Sequence, residues 1–316
     1  MLAAMSAISP LEGTLFRYRT SPGSLQAFES PIMHGHKRFV IYIGGLTDGL
    51  LACAYVEALA AMCDDKGWAF VQPLLSSSFA GYGCSSLAKD TQELAELASY
   101  LERTREVSAL AFIGHSTGCQ DIVHLLGSEA LSASLRRKVC ACALQAPVSD
   151  REAWSLEEDV AQREELLALA QRMVGEGRGS QLLPELHYGF VPICAARYAS
   201  LFGIGGDDDL FSSYFSDAEL AARLGHLSQP GLHVLFAHSA ADEYVPKGID
   251  VTQHSRRLVA AAGGDRNGDG GVRALVIEGA NHNLASPDSA AGTFIEAVGE
   301  LLDRAVGRTF TTEEDF

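Results

Sequence analysis

The sequence predicts an α/β fold with a mostly parallel central sheet, helices on both faces and a helical cap inserted before the last strands. Three observations predict it. Short continuous apolar runs at 39–43, 109–113 and 139–144 read as strands buried on both faces, and stretches with a helical apolar period separate them. The run 109–113 ends in Gly114-His115-Ser116-Thr117-Gly118 and leads into a helical stretch, so a sharp turn joins strand to helix. The βα alternation then breaks between 149 and 230 and resumes at 231. The predicted organisation is a core of residues 1–148 and 231–316 interrupted by a cap at 149–230.

Taken in order, 13–20 alternates apolar and polar residues and 25–29 is a second short run. Ser21-Pro22-Gly23-Ser24 between them signals a turn, so the chain is expected to open on an antiparallel hairpin. His34-Gly35-His36 has no carboxylate or cysteine at ligand spacing and reads as a loop with solvated histidines. The strand 39–43 runs into Gly44-Gly45-Leu46-Thr47-Asp48-Gly49, then a helix at about 51–66 stopped by Gly67, then a strand at 68–72. The stretch 73–86 is rich in Ser and Gly and reads as a loop. Residues 87–106 carry Leu94, Leu97, Ala98 and Leu101 on one helical face. Cys119, just past the turn, reads as a small buried hydrophobe. The segment 149–230 is expected to be helical around 156–174 and then irregular, with many aromatics and a flexible acidic loop at 205–209. Strands at 231–237 and 272–278, a helix to about 262 between them, and a closing helix at 287–306 complete the chain. Asp265-Arg266-Asn267-Gly268-Asp269-Gly270 imitates a calcium loop. Its twelfth position is Val276, where a bidentate Glu is required, so a polar loop is expected.

The turn at Ser116 carries the chemistry. G-x-S-x-G between a strand and a helix is the nucleophile elbow of the α/β-hydrolase fold. Its glycines have a steric cause, because a Cβ at either position would strike the neighbouring strand or helix. The bare pattern is common, so the order of the partners decides. Asp242 lies in D-x-x-V-P after the strand 231–237, and His282 lies just past the last strand. Nucleophile, acid and histidine therefore each follow a suitable successive strand. Asp150, after the strand that follows the elbow strand, is the runner-up acid. Leu46 by position, and Thr117 next to the nucleophile, supply the expected oxyanion amides.

With 316 residues, 47% of them hydrophobic and 20% charged, the chain can bury a large core. A net charge of -16 argues against nucleic acid or an anionic membrane as partner, since both need clustered Lys and Arg. Seven cysteines with no C-x-x-C pairs indicate a reduced, cytoplasmic protein. The first ten residues lack a signal-peptide pattern, and no apolar run approaches a membrane span. No cofactor and no metal are expected, and no signal fixes an oligomeric state.

Two stretches go beyond the fold. Gly114 to Asp121 (G-H-S-T-G-C-Q-D) and Gln145 to Glu152 (Q-A-P-V-S-D-R-E) resemble the signatures of a fungal and protist α/β-hydrolase family whose best-understood branch is the siderophore esterases, which cleave esters in fusarinine-type iron chelators. The similarity runs from about residue 39 to the last helix. The resemblance implies Ser116 as nucleophile with Asp242 and His282 completing the triad, a small-molecule ester as substrate, and acyl transfer to water. Any iron would belong to the substrate. Two other outcomes share the fold: a non-catalytic small-molecule receptor or scaffold, and an acyltransferase in which another alcohol replaces water.

Overall fold

The computed structural model describes residues 10–30, 35–154, 160–264 and 271–307. His34, the loop 265–270, the N-terminal residues 1–9 and the tail 309–316 lie outside the described residues. Ten strands and ten α-helices are described: β1 Thr14–Arg19, β2 Leu25–Ser30, β3 Arg38–Ile43, α1 Val56–Asp65, β4 Ala69–Pro73, α2 Leu87–Arg105, β5 Ala109–His115, α3 Thr117–Gly127, α4 Ala133–Lys138, β6 Val139–Gln145, α5 Asp150–Trp154, α6 Val160–Gly175, β7 Leu182–His187, β8 Val191–Cys194, α7 Ala195–Phe202, α8 Asp217–Leu224, β9 His233–Ser239, α9 Val251–Ala261, β10 Val272–Ile277 and α10 Ser289–Gly307. Eight strands form one sheet in the order β1-β2-β4-β3-β5-β6-β9-β10. The opening hairpin is antiparallel and β2 pairs antiparallel with β4; every later pairing is parallel.

Period-two alternation sends neighbouring residues of one strand to opposite faces. In β3, Phe39, Ile41 and Ile43 join one apolar layer, while Val40 and Tyr42 join the other. The first layer takes Leu94, Leu97 and Leu101 of α2, Ile122 and Leu125 of α3 and Leu258 of α9. The second takes Val56 and Leu59 of α1 and Phe294, Val298 and Leu301 of α10. Each helix contributes residues three or four apart, the spacing that makes one apolar stripe. Both faces of the sheet are therefore covered, as parallel strands require.

Three elements differ from the sequence reading. Helix α1 starts at Val56 rather than near 51, because Leu51 adopts φ 59° and its amide donates to Gln72 Oε1 at 2.9 Å. Within 73–86, Phe79–Cys84 forms a 3-10 turn. The segment between β6 and β9 is not purely helical: β7 and β8 pair as a two-stranded antiparallel ribbon. This segment has an apolar cluster of its own, in which Leu167 and Met173 of α6, Ile193 of β8 and Leu201 of α7 meet Tyr82 of the 3-10 turn.

The acidic loop at 205–209 is not a flexible one. Asp208 and Asp209 are buried. Asp208 accepts twice from Arg197 Nη1, at 2.8 and 2.7 Å, and once from Ser200 Oγ at 2.6 Å. His36 is also more than solvated, since its Nε2 lies 2.9 Å from Asp64 Oδ1. Cys119 is fully buried, with its Sγ donating to the carbonyls of Gly114 and Gln145. No described helix is long and apolar enough to cross a membrane.

Candidate active site

The site is built where β5 turns into α3. Ser116 has φ 52° and ψ -123°, a conformation that L-residues avoid and that sharp elbows impose. The flanking glycines are sterically required. A Cβ on Gly118 would stand 2.4 Å from the Ile43 carbonyl oxygen and 2.7 Å from that of Gly44. A Cβ on Gly114 would stand 2.5 Å from the Gly118 carbonyl oxygen. All of these obstacles are backbone and cannot swing aside. Gly118→Ala is therefore expected to destabilise the protein by about 2 to 3 kcal/mol, near the upper end for overpacking. Thermal unfolding of the variant beside wild type checks it, and an unchanged Tm would contradict the steric account.

His282 follows β10 and Asp242 follows β9, adjacent parallel strands, so both side chains reach the C-terminal edge of the sheet beside Ser116. His282 Nδ1 lies 2.8 Å from Asp242 Oδ2 and 3.0 Å from Oδ1. Asp242 Oδ1 also accepts from the Tyr244 amide at 3.0 Å. A carboxylate so placed fixes Nδ1 as the protonated nitrogen and leaves Nε2 as the basic one. Ser116 and His282 line one cavity of about 330 Å³, the size of a small-molecule pocket. No hydrogen bond joins them among the described residues, and such contacts are commonly long without substrate.

Leu46 lines the same cavity, and Thr117 is the first residue of α3, directly after Ser116. Gly45 presses against Ser116, since a Cβ there would stand 2.8 Å from Ser116 Cβ. The Gly45 amide is occupied, donating to Asp48 Oδ2 at 2.7 Å. Among the described residues, neither the Leu46 amide nor the Thr117 amide is spent on an internal partner.

A network beneath His282 was not apparent from the sequence. Gln145, the last residue of β6, donates from Nε2 to the His282 carbonyl at 2.9 Å. Its Oε1 accepts from Tyr55 Oη at 3.1 Å and faces His115 Nδ1 at 2.5 Å. That arrangement makes His115 Nδ1 the donor. Burial, and then the neighbouring His282, push the His115 imidazole down to about 3, so it is neutral. The His115 ring lies 4.9 Å from that of His282, and the Tyr244 ring packs on it at 4.6 Å. The His282 amide donates to Glu243 Oε2 at 2.9 Å. Only the position of Gln145 inside Q-A-P-V-S-D-R-E hinted at a role; a glutamine at a strand end carries no motif of its own.

Asp150, the runner-up acid, lines the same cavity but, among the described residues, makes no hydrogen bond to His282. Its Oδ2 accepts from Gln120 Nε2 at 3.1 Å. Burial, followed by the negative charge of Asp208, pushes its carboxyl up to about 7. Asp48, Cys53 and His115 place one ligand atom each within 4.8 Å of one another, and this is the one such metal-capable group among the described residues.

The strand order and the elbow define an α/β hydrolase, and solved structures of that fold superpose on the chain. The chain belongs to the family described as "Protein of unknown function (DUF1749)", whose model matches residues 5–303. It is 30% identical to the esterase AN6793 of Emericella nidulans, over 88% of both chains. It is 28% identical to the fusarinine C esterase sidJ of Aspergillus fumigatus, over 79% of this chain and 84% of the other. The solved siderophore hydrolase EstB from Aspergillus fumigatus matches with a TM-score of 0.77 and 27% identity, covering 94% of this chain and 98% of that one.

Proposed function

We propose that the protein is a serine esterase acting by an acyl-enzyme mechanism on a small-molecule ester of the siderophore type. The observation that carries the reading is that a serine held at φ 52° on a strand-to-helix elbow shares one cavity with a histidine whose other nitrogen is bound by a buried aspartate. A free serine hydroxyl is a poor nucleophile at neutral pH. His282 Nε2 takes its proton as Oγ attacks the ester carbonyl carbon. Asp242 holds the imidazole in the required tautomer and stabilises its cationic form. The amides of Leu46 and Thr117 receive the negative charge on the carbonyl oxygen; losing one such donor typically costs about 3 kcal/mol of transition-state stabilisation. His282 then protonates the leaving alcohol, and water repeats the attack on the acyl-enzyme. The segment 149–230 acts as the cap that shapes substrate choice. The siderophore substrate is supported by the names of the relatives. The odd number of cysteines, seven, with no C-x-x-C pair, fits a reducing, cytoplasmic setting.

Labelling with a fluorophosphonate probe tests the nucleophile. One probe per chain, mapped to the peptide containing Ser116, is the expected result. A folded protein that resists the probe would count for the receptor reading, and labelling elsewhere would overturn Ser116 as the nucleophile. The acid is tested separately. Asp242→Asn is expected to cost roughly 10^4-fold in kcat by stabilising the wrong tautomer, and Asp150→Asn far less. Comparable losses would overturn the assignment of Asp242.

A further inference from the structure

We infer that the cavity beside Ser116 selects esters that carry a positive charge, an alkylammonium group in particular. This rests on the esterase reading and names the substrate chemistry of the same site. Three carboxyl side chains, Asp48, Asp150 and Glu243, line the cavity, and among the described residues no lysine or arginine does. Among the described residues none of the three pairs with a lysine or arginine. Each has one oxygen held by a neutral donor instead: the Gly45 amide, Gln120 Nε2 and the His282 amide. His115, the other basic side chain on the wall, is neutral. The described wall of the cavity therefore carries carboxyls and no lysine or arginine, and the buried Arg197 that acts on Asp150 is itself held by Asp208. A concave wall of low dielectric concentrates the field of the carboxyls. It opposes an anionic ester and opposes the oxyanion of a neutral one. An ammonium group on the substrate offsets both effects. The exposed rings of Tyr188, Phe190 and Tyr244 at the same cavity add π-faces that attract ammonium and not carboxylate.

The test uses three chromogenic esters of matched length: p-nitrophenyl 6-aminohexanoate, p-nitrophenyl heptanoate and p-nitrophenyl hydrogen adipate. We expect kcat/KM to fall in the order cation, neutral, anion, with at least about tenfold between the first two at low salt. The ratio should shrink as salt is raised from about 20 to about 500 mM. Asp150→Asn should lower the cation-to-neutral ratio several-fold and Asp150→Glu should restore it, a pattern that loss of packing alone would not produce. Asp150 faces Asp208, Arg197 and His282. Its carboxyl, displaced to about 7, ionises between about pH 6 and pH 8, so the ratio should rise across that range. A ratio near one with all three esters turned over would overturn the inference and leave the esterase reading intact. Should no ester be turned over, the esterase reading fails, and calorimetric binding of hexylammonium against hexanoate decides charge selection by itself; equal affinity would sink it.

Discussion

Ser116→Ala is expected to lower kcat on an activated ester by about 10^5-fold while leaving the protein at least as stable as wild type. On the proposed mechanism the size follows from removing the group that forms the covalent bond, which in a comparable serine hydrolase costs about 10^6-fold in kcat. The residual rate comes from the amides of Leu46 and Thr117 and from His282 acting on water. Stability is the control that makes the result interpretable. Alanine and serine share a Cβ, so the strained φ of 52° costs the same in both. Loss of the hydroxyl breaks no described hydrogen bond of the side chain. A loss of activity without a loss of Tm is therefore chemical. Retention of more than a few per cent of the rate would move the nucleophile elsewhere. Cys119 would be a poor replacement, since it is fully buried and burial drives its thiol pKa well above the ordinary range.

The largest effect on stability is expected at Arg197. Its side chain is 1% exposed and that of its partner Asp208 is 0% exposed. The same guanidinium acts at longer range on Asp90, Asp121 and Asp150. Burial pushes Asp90 up to about 6, Asp150 up to about 7, and Asp121 well above the carboxylate range. Arg197→Met leaves these carboxyls buried without their cation. Breaking a buried pair from one side costs about 3 to 5 kcal/mol, which for a chain of this size is a fall in Tm of roughly 5 to 8 °C. The sign of the pH dependence follows from the raised carboxyl values. Acids whose folded pKa exceeds the unfolded one contribute stability that is complete below the unfolded value and is lost as pH rises through the folded value. Removing the cation raises the folded values further. The loss should accordingly be larger at pH 8 than at pH 5, measured by thermal or urea unfolding at both. Equal losses at the two values would mean that Arg197 acts through packing alone.

The parallel sheet was legible because its strands are continuous apolar runs, the mark of burial on both faces. The ribbon β7–β8 was not, because Leu182 and Leu186 are exposed while His187 and Leu183 are buried, so hydrophobicity does not track the inner face. The acidic loop was misread for a related reason. Arg197 meets Asp208 from eleven residues away on a helix, and no local spacing announces that pairing. At the candidate site, Ser116, Asp242 and His282 were placed by chain order after strands. The amide of Gln145, which ties His115 to His282, follows from tertiary contact and from no pattern along the chain.

The inserted segment keeps its own apolar cluster, and the Tyr82 hydroxyl meets His187 Nδ1 at 2.7 Å where it docks. Gly83 lies flush against it, since a Cβ there would stand 2.1 Å from the Pro192 carbonyl oxygen. The consequence concerns how such an enzyme can change. Shape is stored inside the cluster and at the docking seam, where the Tyr188 ring packs on His187, whereas the exposed Phe190 lines the cavity from the tip of the ribbon. Selection can therefore rewrite the tip, trading one ester for another, without reopening the question of whether the chain folds. Innovation at the tip and caution at the seam would let one chemical engine serve many molecules.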